Sequence, residues 1–308
     1  MNSKFNLLIG FMVLILTVSC AQNTSTEVKV NIPSGIGASQ VARILVDEGV
    51  ISHSRPFAIY MRLTKDAQNI KSGVYSLKKG GSYSALRKVL TRGPNLYIRV
   101  SIPEGFSAEQ IGARLAARGI IDDAQEFVDR VVERDLRGFL FPETYDFFPN
   151  EGIERAIDKM KARFENEFTE KYERRAAEIG MSRRDVVTLA SIIEKEAQVA
   201  EERPIISDVF HRRLRRRMRL ESCATVLFAL GEHRSRLIYA DLQIDSPYNT
   251  YRHIGLPPSP ICSPGRDAIK AALYPEPTDF LFFLARDDGS HIFSKSYGEH
   301  LRNQKKLR

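Results

Sequence analysis

The chain contains no tryptophan and only three cysteines in 308 residues, and its six histidines (53, 211, 233, 253, 291 and 300) never stand four apart. Without a His-x-x-x-His or Cys-x-x-Cys pair, no segment offers the ligand spacing of a metal site, so no metal is expected. A Gly-x-Ser-x-Gly elbow and a glycine-rich phosphate loop are also missing. Ser-His-Asp hydrolysis and phosphate chemistry therefore drop out as leading readings. With no indole, any stacking surface for a sugar must come from the 11 tyrosines and 17 phenylalanines.

Long hydrophobic runs are scarce as well. The one apolar tract, Leu7 to Leu16, follows Lys4 and precedes a polar Gln22 to Thr26. It is shorter than the ~20 residues a membrane-spanning helix needs, and a secretory signal over residues 1–20 is the expectation. Cys20, directly after a small residue, resembles a bacterial lipoprotein cleavage site, which would make it the lipidated mature N-terminus. Thr17 stands where that pattern usually has Leu, and the alternative is an uncleaved anchor. Either reading places the rest of the chain on the cell membrane, facing the periplasm or extracytoplasmic space. Cys223 and Cys262 then either pair or remain free thiols. The net charge of +8 suits anionic membrane or an acidic polymer, and export makes nucleic acid the least favoured partner.

A gapless repeat recurs at an offset of 70 residues: Val28-Lys-Val-Asn-Ile-Pro-Ser-Gly35 returns as Ile98-Arg-Val-Ser-Ile-Pro-Glu-Gly105, and Gly49-Val-Ile51 as Gly119-Ile-Ile121. Alternating apolar residues predict a half-buried strand in each copy, ended by Ile-Pro-x-Gly. A helix follows, with Ser107 to Gln110 as a capping box and Gly49 or Gly119 as its stop. Between the copies, 72–77 reads as a strand and 82–90 as a short helix ending near Gly93. From Gly152 to Gly180, Ile153, Ile157, Met160, Phe164 and Phe168 form a stripe that predicts one long amphipathic helix. A helix over 183–200 comes next, then another running into the basic stretch His211 to Arg219, read as a solvated face. Residues 279–294 carry a hairpin pattern. The fold class is α+β: a small α/β module over 27–95, then a mixed α+β domain over 96–308 whose second strand-helix repeat covers 96–122.

The helix over 183–200 ends on Glu194-Lys-Glu196. On a wheel of ~100° per residue, Glu196 falls among Leu189, Ile192, Ile193, Val199 and Ala200, whereas Glu194 points away, beside Val187 and Ala190. A carboxyl on an apolar face must be paired, protonated or functional, and burial raises its pKa. That is how a general acid is made, so Glu196 outranks Glu194; the plain alternative is that Glu196 marks where the helix leaves the core, or pairs with an arginine. Further on, 246–265 is a proline-rich irregular segment whose Tyr248, Asn249 and Tyr251 suit a sugar, or which is a loop pinned by its own prolines.

Taken together, Ser72-Gly-Val-Tyr75, Ile102-Pro-Glu-Gly105, Gly138-Phe-Leu-Phe-Pro-Glu-Thr-Tyr145, Leu189 to Glu196, Tyr248-Asn-Thr-Tyr251, Gly255-Leu-Pro-Pro258 and His291-Ile-Phe293 resemble the YceG-like family of endolytic murein transglycosylases, in their order as well as their identity. The resemblance implies a lyase, without cofactor, that cuts peptidoglycan strands internally between N-acetylmuramic acid and N-acetylglucosamine and leaves 1,6-anhydro ends. It implies an N-terminal LysM-like region, a role as terminator of nascent strand elongation, and a peptidoglycan synthase as partner.

The family's catalytic glutamate carries onto Glu196, and Glu221, Ser222, Thr225, Tyr248, Asn249, Thr250 and Tyr251 become the expected substrate-binding residues. The chain departs from the family over Leu220 to Thr225, where many members read Gln-Ser-Asp-Pro-Thr, so Glu221, Cys223 and Ala224 differ. Two rivals follow: a non-catalytic peptidoglycan-binding scaffold, and a muramidase that uses Glu194 or Glu221 as an added carboxylate.

Overall fold

In the computed structural model, which describes residues 26–231 and 237–307, the alternating segments are strands and the capped segments are helices. The apolar tract 7–16, Cys20 and His233 lie outside the described residues. Among the described residues no helix is long and apolar enough to cross a membrane. The chain forms two units, the first ending at Leu96 and the second beginning at Tyr97.

The first unit runs β1 (Glu27–Ile32), α1 (Ala38–Asp47), α2 (Ser54–Leu63), β2 (Gly73–Lys78) and α3 (Tyr83–Arg92). Strands β1 and β2 pair antiparallel, with Val30 opposite Tyr75 and Ile32 opposite Gly73. Val30, Ile32, Val41, Leu45, Phe57, Met61 and Tyr75 fill its core, all buried.

The second unit opens with β3 (Ile98–Ser101), α4 (Ala108–Ala117), α5 (Ala124–Glu133) and β4 (Thr144–Phe147), again with antiparallel strands. The repeat therefore extends past residue 122, through a second helix to a closing strand. Core positions keep the offset: Val30 matches Val100, Leu45 matches Leu115, and Phe57 matches Phe127. Caps do too, since the Gln40 side chain accepts from the Gly37 N–H as Gln110 does from that of Ser107. The second half escapes a sequence match because beyond Phe57/Phe127 and Tyr75/Tyr145 its burial pattern is kept more than its residues.

The remaining elements are α6 (Ile153–Glu167), α7 (Glu170–Glu178), α8 (Arg183–Glu196), α9 (Arg203–Arg215), α10 (Cys223–Leu230), α11 (Arg266–Leu273), the hairpin β5 (Phe282–Ala285) and β6 (His291–Ser294), and α12 (Tyr297–Leu307). Two expectations are corrected. The stretch Gly152 to Gly180 is two helices, broken where Phe168 turns into the core between Phe164 and Tyr172 and Thr169 starts α7 with Glu170 and Glu173 in its first turn. Helix α8 stops at Glu196, because Ala197 is extended, so Val199 and Ala200 belong to no common helical face with Leu189.

Helix α8 is the centre of this unit. It packs against α7, α9, α10 and α11, and every residue from Val186 to Ile193 is buried. Nor is the basic stretch simply a solvated face. Arg213 is buried, donating to the carbonyls of Leu281 and Leu220, and His211 Nε2 lies 2.8 Å from the Ala272 carbonyl.

Gly138 shows how tightly this unit packs. Its φ of +81° is a left-handed conformation, and a Cβ there would sit 2.4 Å from the Pro260 ring. Gly138→Ala combines backbone strain with overpacking and should cost about 2–4 kcal/mol, read as a lowered midpoint in thermal unfolding.

Candidate active site

Glu196 is the last residue of α8 and is half-buried. Two influences favour its protonated form: burial, which pushes the carboxyl above the ordinary carboxylate range, and the negative end of the α8 dipole. Opposing them, the Ser222 hydroxyl and the Ala224 N–H both bond to Oε1, the latter at 3.4 Å, and the His291 ring acts in the same sense. Ala224 lies in the first turn of α10, so the positive end of a second helix meets the carboxyl. Among the described residues no group hydrogen-bonds to Oε2 of Glu196, which leaves that oxygen for a substrate.

Ser222 is set there by local geometry. Glu221 has φ +53°, a left-handed conformation that costs a non-glycine residue about 1 kcal/mol. Its N–H donates to the Thr250 carbonyl at 3.1 Å and its carboxylate reaches Arg213 at 3.2 Å. These contacts hold the turn that delivers Ser222 to the start of α10. Ser222 does not cap its own helix, because its hydroxyl is turned to Glu196.

The structure brings all seven expected binding residues into the neighbourhood of α10 and the 246–253 loop; Ser222 is bonded to Glu196, and the other six fall in two groups. Asn249, Thr225 and Thr250 are buried and their polar atoms are occupied by the protein. Asn249 Nδ2 donates to the carbonyls of Leu242 and Ile244 and its Oδ1 accepts from the Tyr251 N–H. Thr250 Oγ1 accepts from the Ser222 N–H at 3.0 Å and bonds Thr225 Oγ1 at 2.8 Å. These three fix the loop to the helix. Tyr248, Tyr251 and Glu221 keep accessible surface. The Tyr248 hydroxyl bonds Ser259 at 2.6 Å and its ring meets Phe228, while the Tyr251 hydroxyl lies 3.2 Å from the Cys223 sulfur.

Cys223 is exposed and Cys262 buried, and both are free thiols. Burial of the sulfur raises the Cys223 thiol above its usual range, and it raises the Tyr251 phenol further still. Both stand next to Glu196 as neutral groups.

Glu194 does not point away from the protein. Its side chain is 8% exposed, its Oε2 accepts from the Gly265 N–H at 3.0 Å, and Arg203 approaches Oε1 at 3.7 Å. Burial, partly offset by Gly265 and reinforced by nearby Glu104, raises this carboxyl too. Because α8 is buried on all sides, facing the core does not separate the two glutamates; their partners do. Glu194 joins the ends of α8, α9 and α11, whereas Glu196 retains a free oxygen.

Glu202 escapes sequence reasoning, and His291 enters it only within the His291-Ile-Phe293 segment, without a role of its own. Glu202 closes a 3-10 turn over Ala200–Glu202, with one oxygen 3.1 Å from the His291 N–H and the other 2.6 Å from Nδ1. They are 89 residues apart, with no motif linking them. Elsewhere, a cavity of about 660 Å³ lined by Arg175, Asp208, His211, Arg212 and Arg215 does not include Glu196. Among the described residues no cluster of side chains could hold a metal.

Comparison with known proteins agrees with this frame. The YceG-like family profile matches residues 30–306, and the chain belongs to that family. It is 35% identical to the endolytic murein transglycosylase of Bacillus subtilis over 92% of this chain and 86% of that one. It is 29% identical to that of Streptococcus pneumoniae D39 over 91% of this chain, which spans 58% of the pneumococcal protein. The crystal structure of a YceG-like protein from Listeria monocytogenes superposes with a TM-score of 0.59 at 34% identity, covering 90% of this chain and 98% of that one.

Proposed function

We propose that this protein is an endolytic peptidoglycan lytic transglycosylase in which Glu196 is the only proton carrier. The observation that carries the reading is a carboxyl raised above the ordinary carboxylate range by burial, one oxygen held by Ser222 and Ala224 and the other without a hydrogen-bond partner among the described residues. The curated relatives named as endolytic murein transglycosylases support the substrate class.

In this mechanism Glu196 donates its proton to the glycosidic oxygen between N-acetylmuramic acid and N-acetylglucosamine. The resulting carboxylate takes the proton of the muramyl 6-hydroxyl, whose oxygen closes on the anomeric carbon as a 1,6-anhydro ring. Water is not consumed, and one carboxyl serves where hydrolytic glycosidases use two. Neither rival carboxylate is placed to help a hydrolysis: Glu194 is tied to Gly265 and Arg203, and Glu221 is paired with Arg213. Tyr248, Tyr251 and Glu221 line the strand's path, and Asn249, Thr225 and Thr250 keep that wall rigid.

Ser222 steadies the carboxylate formed in the first step. Ser222→Ala should lower kcat about 10–100-fold with little change in KM, measured as anhydro-muramyl ends released from purified peptidoglycan. The N-terminal unit is read as a LysM-like saccharide-binding module, with α3 following its β1-α1-α2-β2 core. Attachment through residues 1–20 or lipidated Cys20, an extracytoplasmic location, a synthase partner and the ending of strand elongation complete the proposal. Separation of anhydro ends, reducing ends and uncut strands by mass spectrometry tests the activity against both rivals.

A further inference from the structure

The Glu202 and His291 pair lies outside the mechanism just given, yet it sits beside it. The ring of His291 is almost fully enclosed, 2% exposed, edge-on to Phe283 at 5.3 Å and tilted against Phe293 at 6.2 Å. Glu202 accepts from both its backbone N–H and Nδ1, which fixes the ring's orientation and places a proton on Nδ1. No described residue bonds to Nε2. The hairpin that carries His291 rests on the segment leaving α8: a Cβ at Gly289 would lie 2.5 Å from Gln198 Oε1, two residues beyond Glu196. The ring lies within electrostatic reach of the Glu196 carboxyl.

We propose that His291, oriented by Glu202, is a positioning residue that stabilises the Glu196 carboxylate formed when the glycosidic oxygen is protonated. The groups facing Glu196 are the Ser222 hydroxyl and Ala224 N–H from α10, the Cys223 thiol, the Tyr251 phenol and His291 from β6. His291 alone in that set can carry positive charge. Those facing His291 are Glu202, Phe283, Phe293 and Glu196 itself. A buried imidazole with a carboxylate on one nitrogen and within electrostatic reach of a reacting carboxyl is favourable to the anion that appears during reaction and indifferent to the neutral acid before it. Hence it acts on the transition state more than on substrate binding. The idea rests on Glu196 being the acid.

The test is the pH dependence of anhydro-end release by the full chain, its His291→Gln variant and its Glu202→Gln variant. Removing the ring, or the carboxylate that supports charge on it, disfavours the Glu196 anion, so the alkaline limb of the profile should move to higher pH. kcat should fall about tenfold with KM within about twofold. A pair that only holds the hairpin would lower the unfolding temperature and leave the limb in place, and that result in either folded variant overturns the proposal. In the unsubstituted protein, long-range 1H–15N NMR should show Nδ1 protonated and bonded to Glu202. An Nδ1 without a proton overturns the proposal equally, whether or not the variants fold. Failure of the reading of Glu196 would look different: no anhydro ends from the unsubstituted protein, or full activity in Glu196→Gln.

Discussion

Glu196→Gln should abolish strand cleavage, with anhydro-end release falling by about three orders of magnitude or more, while the protein stays folded. Loss of a general acid alone removes about 10²–10⁴ in rate, and here the same group also serves as the base in the second step. Stability should move the other way. The Glu196 carboxyl is raised by burial, so the folded state holds a proton at pH values where the unfolded chain, near the ordinary ~4.3, has lost it. The native state then binds more protons in that window, and its stability falls as pH rises through it. An uncharged amide is free of that cost and keeps an oxygen for Ser222 and Ala224. At neutral pH the variant's unfolding temperature should equal or exceed that of the unsubstituted protein, in a scan by circular dichroism. Activity of the latter should decline as pH rises through the raised Glu196 value.

Glu194→Ala should show the opposite profile, a large loss of stability with chemistry intact. Its carboxylate accepts from Gly265 at the start of α11 and faces Arg203 at the start of α9. Removing it strands a buried N–H and a guanidinium that is itself 15% exposed. The cost should be about 2–4 kcal/mol, or about 5–10 °C in unfolding temperature for a unit of this size. Activity per folded molecule should stay within about tenfold. Glu194→Gln keeps an acceptor for Gly265 and removes repulsion from Glu104, so its loss should be the smaller. Two glutamates separated by one lysine would thus divide between the fold and the reaction.

How much of this was legible depends on whether the cause was local. Strand alternation and helix caps lie within ten residues, so β1, β3, α1 and α4 follow from sequence, as does the hairpin of β5 and β6. The break at Phe168 was not legible, because a phenylalanine continuing the apolar stripe looks like more helix until its ring is seen stacked on Phe164. The end of α8 at Glu196 was equally hidden, since nothing between Ala197 and Ala200 forbids helix. In the candidate site, Glu196 stood out by being a carboxyl among apolar residues, yet that argument assumed an exposed face α8 does not have. Tyr, Asn and Thr look alike as sugar contacts on paper, and only the hydrogen bonds of Asn249 and Thr250 show that their polar atoms are occupied within the protein. The link from Glu202 to His291 depends wholly on tertiary packing.

The most direct test of the central claim is the mass of the ends left when purified peptidoglycan strands are digested by the unsubstituted protein and by Glu196→Gln. One carboxyl acting as acid and then base predicts internal cuts bearing 1,6-anhydro-muramyl ends from the first and none from the second. Reducing muramyl ends, which carry an added water, or equal cutting by both proteins, would contradict it.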